Sequence, residues 1–434
     1  MTLASQDTIF ALATGAVRSA VAVMRVSGPA SGAILEGLCG KRPEPRRATL
    51  RRLRNRAREP LDLALVLWMP GPGSYTGEDC AEFSLHGGRA VVEGVADALV
   101  EAGARPAEPG EFTKRAFLNG RMDLLEAEAV SDLIGAETAA QRAQALRQLD
   151  GVLGDLYRGW TDRIRMVLAQ QEALIDFPDQ EIPEETEAAM LAEVGAVTAE
   201  LEAHLGDARR GERLREGLVF SITGPPNVGK SSLLNALAER DVAIVAPTPG
   251  TTRDALETRV VLGGVPVTLV DTAGLRDTED QIEAQGVRRA RAWAEAADLV
   301  LAVSDRIGAA ERLNGFSGEQ IRISNKIDLG GIAPAGSIPI SVLTGEGMDG
   351  LRNRLAAEAR RLTEGSGPPP LTRARHRAAL RDAAGFLRAT KEESLAELRA
   401  ENLRLALRGL GSITGMVGVE DLLDTIFSQF CIGK

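Results

Sequence analysis

Cysteine is scarce: three in 434 residues, at positions 39, 80 and 431, odd in number, far apart and without a C-x-x-C pair. Such spacing excludes a disulfide framework and a cysteine-based zinc site, and it fits a reducing cytoplasm. Long apolar runs are missing as well. The longest, such as Leu63 to Met69, falls far short of the ~20 residues that span a bilayer, and no basic-then-apolar leader opens the sequence, so no membrane partner is expected. The closing Cys431-Ile432-Gly433-Lys434 puts a cysteine where a prenylation box has one, but lysine does not end such a box. Positive charge is in deficit: 51 Lys and Arg against 61 Asp and Glu leave a net charge of −10. That balance excludes a surface that coats nucleic acid generally. There is a local exception, in which Lys41, Arg42, Arg46, Arg47, Arg51, Arg52, Arg54, Arg56 and Arg58 meet a single acid, Glu44. A solvated loop or strand edge is the preferred reading of this stretch, with RNA contact the alternative.

What the chain does have is length enough for two to four domains, and one stretch that organises the rest. Leu218, Val219, Phe220 and Ile222 form a short apolar run. Gly224-Pro225-Pro226-Asn227-Val228-Gly229-Lys230-Ser231 follows, matching G-x-x-x-x-G-K-[ST], and then Ser232 and a helical pattern at Leu233, Leu234 and Leu237. Strand, phosphate loop and helix are expected in that order. Glycines let backbone N–H groups close around phosphate oxygens, Lys230 brings a charge to the β- and γ-phosphates, and the Ser231 hydroxyl suits Mg²⁺.

Residues 1–120 read as mixed α/β, with strands at Val21 to Val26, Leu61 to Met69 and Cys80 to His86, and a helix through Val91, Val95 and Leu99. His86, beside two glycines and without a partner in sequence, reads as a turn residue. Residues 121–216 are helical. Leu146, Leu149, Leu153, Leu156, Trp160, Ile164 and Val167 make one long stripe, and Met190, Val194, Val197, Leu201 and Leu205 a second. Arg209, Arg210, Arg213 and Arg215 are expected at a helix C-terminus, whose dipole favours them. An α/β block fills 217–365 and ends at Gly365-Ser366-Gly367-Pro368-Pro369-Pro370. Helical spacing resumes over 366–434, clearest at Leu422, Leu423, Ile426, Phe427 and Phe430. The two helical stretches flanking the block are best buried together, as one discontinuous domain with the block inserted.

Inside the block, further signatures follow in the order a GTPase requires. Gly250-Thr251-Thr252 supplies a switch threonine, and the strand Val265 to Val270 leads into Asp271-Thr272-Ala273-Gly274, whose aspartate holds Mg²⁺ through water. Leu299 to Val303 is another strand, and Ile321 to Ser324 runs into Asn325-Lys326-Ile327-Asp328. The Asp328 carboxylate matches the paired N–H donors of guanine, which adenine lacks. The short span from Asp305 to Ile321 predicts a trimmed crossover helix.

With these motifs on the page the chain resembles the tRNA-modifying GTPase family called MnmE or TrmE. The likeness runs through Met24-Arg25-Val26-Ser27-Gly28, Tyr75-Thr76-Gly77-Glu78-Asp79, His86-Gly87-Gly88, Gly110-Glu111-Phe112-Thr113, Arg115-Ala116-Phe117-Leu118-Asn119 and Phe430-Cys431-Ile432-Gly433-Lys434. The resemblance implies an α/β N-terminal folate-binding and dimer-forming domain, a discontinuous α-helical domain and an inserted α/β P-loop G domain. It implies a cytoplasmic homodimer that binds GTP/GDP, depends on K⁺ and Mg²⁺, and works with the flavoprotein MnmG. Its product would be an aminomethyl-type group at C5 of the wobble uridine of certain tRNAs, with 5-formyl- or 5,10-methylene-tetrahydrofolate as one-carbon donor. Nucleotide contacts would come from Asn227 to Ser232, from Ala246, Pro247, Thr248, Pro249, Gly250, Thr251 and Thr252, and from Asp271 to Gly274, Asn325, Lys326 and Asp328. Mg²⁺ would sit on Ser231 and Thr252, and K⁺ on Asn227, Ala246, Thr248 and Thr251. Glu283 would position water, needed because Leu275 cannot do so as a glutamine would; an Arg253 finger is the competing device. Lys230 and Glu283 are thus the catalytic candidates, and Arg25, Glu82, Arg121 and Lys434 the folate-binding ones.

Departures from the family pattern are Val342 in the last nucleotide motif, Arg121 in place of lysine, and Ala246 in place of a threonine. Two other classes of function stay open, a ribosome-assembly switch and a GTP-binding interaction module. No KH-type element supports the first, and intact Lys230, Thr252 and Asp271 speak against the second. The C-terminus is expected to pack rather than hang free, since Phe427 and Phe430 left in water would each cost about 2 kcal/mol. Cys431 is read there as a small buried hydrophobe in preference to a reactive thiol.

Overall fold

The computed structural model describes residues 7–15, 17–176, 184–240, 257–271, 297–305, 319–330, 333–365, 369–417, 420–428 and 430–433. Contacts divide the chain into two units, Met1–Ser131 with Gln148–Val194 and Gly385–Lys434, and Asp132–Arg147 with Gly195–Ala384. No helix of the described residues is long and apolar enough to cross a membrane.

The first unit is built on a six-stranded sheet. Its strands are β1 (Ile9–Leu12), β2 (Val21–Ser27), β3 (Thr49–Arg54), β4 (Pro60–Met69), β5 (Cys80–His86) and β6 (Arg105–Pro106), in the order β3-β4-β5-β2-β1-β6. All neighbours are antiparallel except β1 and β6. The expected strands and helix are present; β1, of four residues, carries no pattern long enough to predict it, and β3, Thr-Leu-Arg-Arg-Leu-Arg, is half arginine and forms the edge of the sheet, in keeping with the strand-edge reading of the basic stretch. Alternation in β4 shows how the sheet is covered. Ala64, Val66 and Trp68 are buried beneath α1 (Ser31–Cys39) and α2 (Arg89–Glu101), which contribute Leu35, Leu38, Val95 and Leu99. On the opposite face Val21, Leu50, Leu63 and Leu65 are exposed, as one-sided antiparallel sheets allow.

The long helical stripe is broken where the sequence predicted continuity. Leu146 lies in the helix Ala139–Leu149 and is exposed, whereas Leu153, Trp160, Ile164 and Val167 are buried on a separate helix, Val152–Asp176. Asp150-Gly151 makes the break, with Gly151 at φ 80, the left-handed conformation that ends helices. The helix Ala396–Thr414 packs along Val152–Asp176. The C-terminal tail is packed, as expected. Phe427 and Phe430 are buried with Leu124 and Ala127, and the Phe427 ring lies 6.5 Å from that of Phe117. Gly110, at φ 68, approaches so closely that a Cβ there would stand 2.6 Å from the Phe427 carbonyl oxygen. Lys114 pairs with Asp424 at 2.6 Å, and Gly433 is buried against Leu12 and Ala13. Cys431 corrects the expectation of burial, for it is exposed. Its carbonyl oxygen, 3.4 Å from the Gly110 nitrogen, makes the inward contact, while Phe427 and Phe430 before it fill the apolar space.

The second unit carries β7 (Leu218–Thr223), β8 (Glu257–Leu262), β9 (Val265–Asp271), β10 (Leu299–Asp305), β11 (Gln320–Asn325) and β12 (Ile338–Pro339), in the order β12-β11-β10-β7-β9-β8. Only β8 and β9 are antiparallel. In β10 every residue but Asp305 is buried, the mark of a parallel strand covered on both faces. Leu233 and Leu237 of the helix Lys230–Arg240 and Leu351 and Leu355 of the helix Met348–Thr363 join that core. The trimmed helix expected between Asp305 and Ile321 lies outside the described residues. Of the second stripe, Met190 and Val194 of the first unit and Val197 and Leu201 of the second are buried, and Leu205 is half-buried. The arginines after it do not close that helix. Arg210 to Arg215 belong to a separate helix, Arg210–Glu216, whose last turn carries Arg213 and Arg215 as a helix C-terminus favours, with Arg209 and Arg210 at its start; carboxylates meet them too, Asp298 on Arg213 at 2.8 Å, Asp132 on Arg215 at 2.9 Å and Glu212 on Arg209 at 2.7 Å.

Candidate functional site: the loops at the ends of the parallel strands

The loops that follow β7 and β11, with Asp271 at the end of β9, carry those predicted nucleotide-binding residues that fall among the described ones. β7 ends at Thr223, and Gly224 turns the chain at φ 150 beneath β10, where a Cβ would lie 2.0 Å from the Val303 carbonyl oxygen. Only glycine fits. Asn227 is exposed at φ 65, Val228 is buried, and Gly229 leads into the helix that begins at Lys230. The Lys230 side chain is buried, and its ammonium donates to the carbonyl oxygens of Gly224 and Pro225, each at 2.7 Å. Burial lowers its pKa, and the nearby Asp271 carboxylate opposes the shift. Ser231 donates its hydroxyl to Asp271 at 2.7 Å, joining the start of the helix to the end of β9. Ser232 is exposed on the same helical turn.

Asn325, at the end of β11, ties three segments together. Its side-chain amide donates to the Val228 carbonyl at 2.8 Å, and its oxygen accepts from the Val342 N–H at 3.2 Å. Lys326, at φ 64, lays its ammonium against the Asn227 carbonyl at 2.6 Å and the Asp305 carboxylate at 3.0 Å. Asp328 accepts a hydrogen bond from the Ser341 hydroxyl at 2.5 Å, and Ser341 in turn accepts one from the Thr344 N–H at 3.2 Å. The arrangement presents N–H groups and a lysine to a phosphate chain at one end, and at the other a braced carboxylate to a ring with adjacent N–H donors.

Asp305 and Ser341 were absent from the predicted set. A signal for Ser341 exists in the sequence, since it opens the last nucleotide motif, one residue before Val342. Val342 itself packs against the core of the unit, with Leu343 exposed. Among the predicted residues, Ala246, Pro247, Thr248, Pro249, Gly250, Thr251, Thr252, Thr272, Ala273, Gly274 and Glu283 lie outside the described residues, as does Lys434.

The first unit holds the second predicted set. Arg25 and Glu82 are ladder partners across β2 and β5 and form an ion pair at 2.8 Å. The Arg25 guanidinium stands 5.3 Å from the centre of the Tyr75 ring and 5.8 Å from that of Phe112, within cation–π range. Arg121 is exposed, with its aliphatic stem against Gly77, and forms no ion pair with Glu82 among the described residues.

The sequence matches the MnmE helical domain family over residues 124–431 and the family described as GTP-binding protein TrmE N-terminus over residues 8–121. It is 59% identical over 434 residues to the tRNA modification GTPase MnmE of Gluconacetobacter diazotrophicus, covering 99% of each chain. With the protein of the same description from Granulibacter bethesdensis it shares 56% identity over 441 residues, covering 99% of this chain and all (100%) of the other. Among solved structures, an Era variant of Aquifex aeolicus bound to GDP and aluminium fluoride is 26% identical, covers 41% of this chain and 69% of its own, and has a TM-score of 0.26.

Proposed function

The chain belongs to the MnmE family of tRNA-modification GTPases, and from that premise we propose that it binds and hydrolyses GTP to drive wobble-uridine modification with the flavoprotein MnmG. The group installed is of the aminomethyl type, carboxymethylaminomethyl, at C5 of the uridine in certain tRNAs, with its one-carbon unit drawn from a tetrahydrofolate derivative. The observation that carries the reading is the bracing of Asp328 by Ser341 beside the Asn325 bridge to the phosphate loop. One Asp328 oxygen is oriented by the serine hydroxyl, and the carboxylate keeps acceptor capacity for the guanine N1–H and exocyclic amine.

In the substrate complex the Lys230 ammonium exchanges the Gly224 and Pro225 carbonyls for β- and γ-phosphate oxygens, while the N–H groups from Asn227 to Ser232 close around the chain. Mg²⁺ would be held by the Ser231 hydroxyl and by Thr252, with the Asp271 carboxylate, which faces Ser231, holding it through water; when bound it would neutralise charge on the β- and γ-phosphates. For K⁺ the candidates are Asn227, whose side chain is exposed and makes no hydrogen bond among the described residues, with Ala246, Thr248 and Thr251. Glu283 would hold the attacking water.

The folate reading rests on Glu82 as acceptor for pterin N–H groups and on Arg25, Arg121 and Lys434 as cations for its carboxylates. The buried tail ending beside β1 supports it. The exposed Val21, Leu50, Leu63 and Leu65 of the N-terminal sheet support a homodimer through that face. Domains are proposed at 1–120, 121–216, 217–365 and 366–434, and the scarcity of cysteine supports a cytoplasmic protein. Mass spectrometry of tRNA from a strain lacking this protein tests the whole: wobble uridine should revert to its unmodified form, and an unaltered nucleoside profile rejects the proposal. Replacing K⁺ by Na⁺ tests the finer claim, since unchanged GTP turnover would remove potassium from the site.

A further inference from the structure

The nine-cation stretch between Lys41 and Arg58 is where the structure departs most from the acidic balance of the chain. Five of those cations are occupied: Arg42 by Glu36 and the Trp68 ring, Arg47 by Glu44, Arg46 by the Gly73 carbonyl, Arg51 by the Leu50 carbonyl, and Arg54 by the Arg58 carbonyl. Of these, only Arg42 and Arg47 have carboxylates. Arg54, Arg56 and Arg58 form no ion pair among the described residues, and they stand together on the hairpin that joins edge strand β3 to β4. The hairpin is rigidly built. Asn55 donates to the Glu59 carboxylate at 2.7 Å and accepts from the Glu59 N–H at 2.9 Å, and Arg58 turns the chain at φ 66.

These three arginines line a cavity of about 380 Å³ between the hairpin, α1 and the end of α2, together with Ile34, Leu38 and Glu101. A compact anion at the centre would face Glu101. A phosphate strand laid along the hairpin would meet arginines on a turn pre-shaped to hold them, none of the three being ion-paired among the described residues.

We propose that the β3–β4 hairpin is an RNA-backbone contact of this protein, with Arg54, Arg56 and Arg58 on successive phosphates of its substrate tRNA. The proposal rests on the tRNA reading above and adds a location to it. Phosphate contacts position a nucleic acid without reading its sequence and make binding salt-dependent. Restricting them to one hairpin reconciles tRNA binding with a net charge of −10.

The test uses the full chain and unmodified tRNA in fluorescence anisotropy over a salt series. The triple variant Arg54→Ala, Arg56→Ala, Arg58→Ala should lose about tenfold in affinity at moderate salt, and the slope of log K against log salt should become shallower by about two to three. Replacing the same three arginines by lysine should restore most of the slope, which a merely folding-related loss would not allow. A charge-matched triple at exposed, already paired arginines, Arg89→Ala, Arg165→Ala and Arg404→Ala, should bind like the parent. Unchanged affinity and slope in the hairpin triple, with the parent binding tRNA, overturns this proposal alone. A parent that does not bind tRNA overturns both it and the function above.

Discussion

The two six-stranded sheets place chemistry in opposite ways. In the parallel sheet every residue of β10 but Asp305 is buried, and Lys230, Ser231, Asp271, Asn325 and Asp328 all follow or end a strand. In the antiparallel sheet one face is left open, and its candidate pair, Arg25 and Glu82, sits in mid-strand on neighbouring strands. A covered sheet concentrates function in contiguous loops, whereas a half-open one spreads it across every second residue of several strands.

That contrast is broken or sharpened by three measurements, from the largest effect to the smallest. If the loop site recognises its base through one carboxylate, Asp328→Asn should exchange an acceptor for a donor and move preference from GTP to xanthosine triphosphate. The swing in selectivity should be about ten-thousandfold, the scale reached when a site loses a matched polar pair. Competition between the two nucleotides measures it, and parental GTP use with no gain on the xanthine nucleotide would refute the assignment of Asp328.

Next comes acid sensitivity, which should belong to the nucleotide unit. Burial pushes the His204 imidazole down to about 4, with Asp207 opposing and Arg377 and His376 adding to the effect. The unfolded chain therefore takes up a proton near pH 6.5 that the folded one refuses until about 4. Stability from this residue is full above pH 6.5 and lost as pH falls through that window, by up to about 3 kcal/mol. Urea denaturation at pH 7 and pH 4.5 should show His204→Gln losing less than the parent; equal losses would point elsewhere. The smallest effect is expected on the open sheet. Glu82→Ala should weaken 5-formyltetrahydrofolate binding at least about tenfold by calorimetry while leaving GTP hydrolysis unchanged, and equal affinity would reject that face as the folate site.

The same contrast explains what the sequence revealed. The loop site was legible because its residues adjoin one another and each motif has a spacing set by backbone geometry; strands β7, β9, β10 and β11 were legible as apolar runs. Arg25 and Glu82 carry no such spacing, being 57 residues apart, and only resemblance singled them out. Ser341 and Asp305 escaped because their roles are to brace other residues, Asp328 and Lys326. Strand β3 was legible only as a loop or strand edge, because its alternation is carried by Leu50 and Leu53 on opposite faces, with arginines between them. The split at Gly151 was missed because Leu146 continues the spacing of a helix to which it does not belong.

One contact in the first unit bears on how the protein is made. Lys114 and Asp424 are 310 residues apart, and the segment around Asp424 supplies the phenylalanines that cover Phe117 and Leu124. At about 5–20 residues per second of synthesis, that cover reaches its place about 15–60 seconds after the surface it protects has left the ribosome. Through this interval the inserted nucleotide-binding unit can fold on its own strands, while the N-terminal unit waits with an apolar face open to chaperones or to the wrong partner. The maturation of the nascent chain is therefore timed by the segment around Asp424, the helix Glu420–Phe427, although its first strands are complete early in translation.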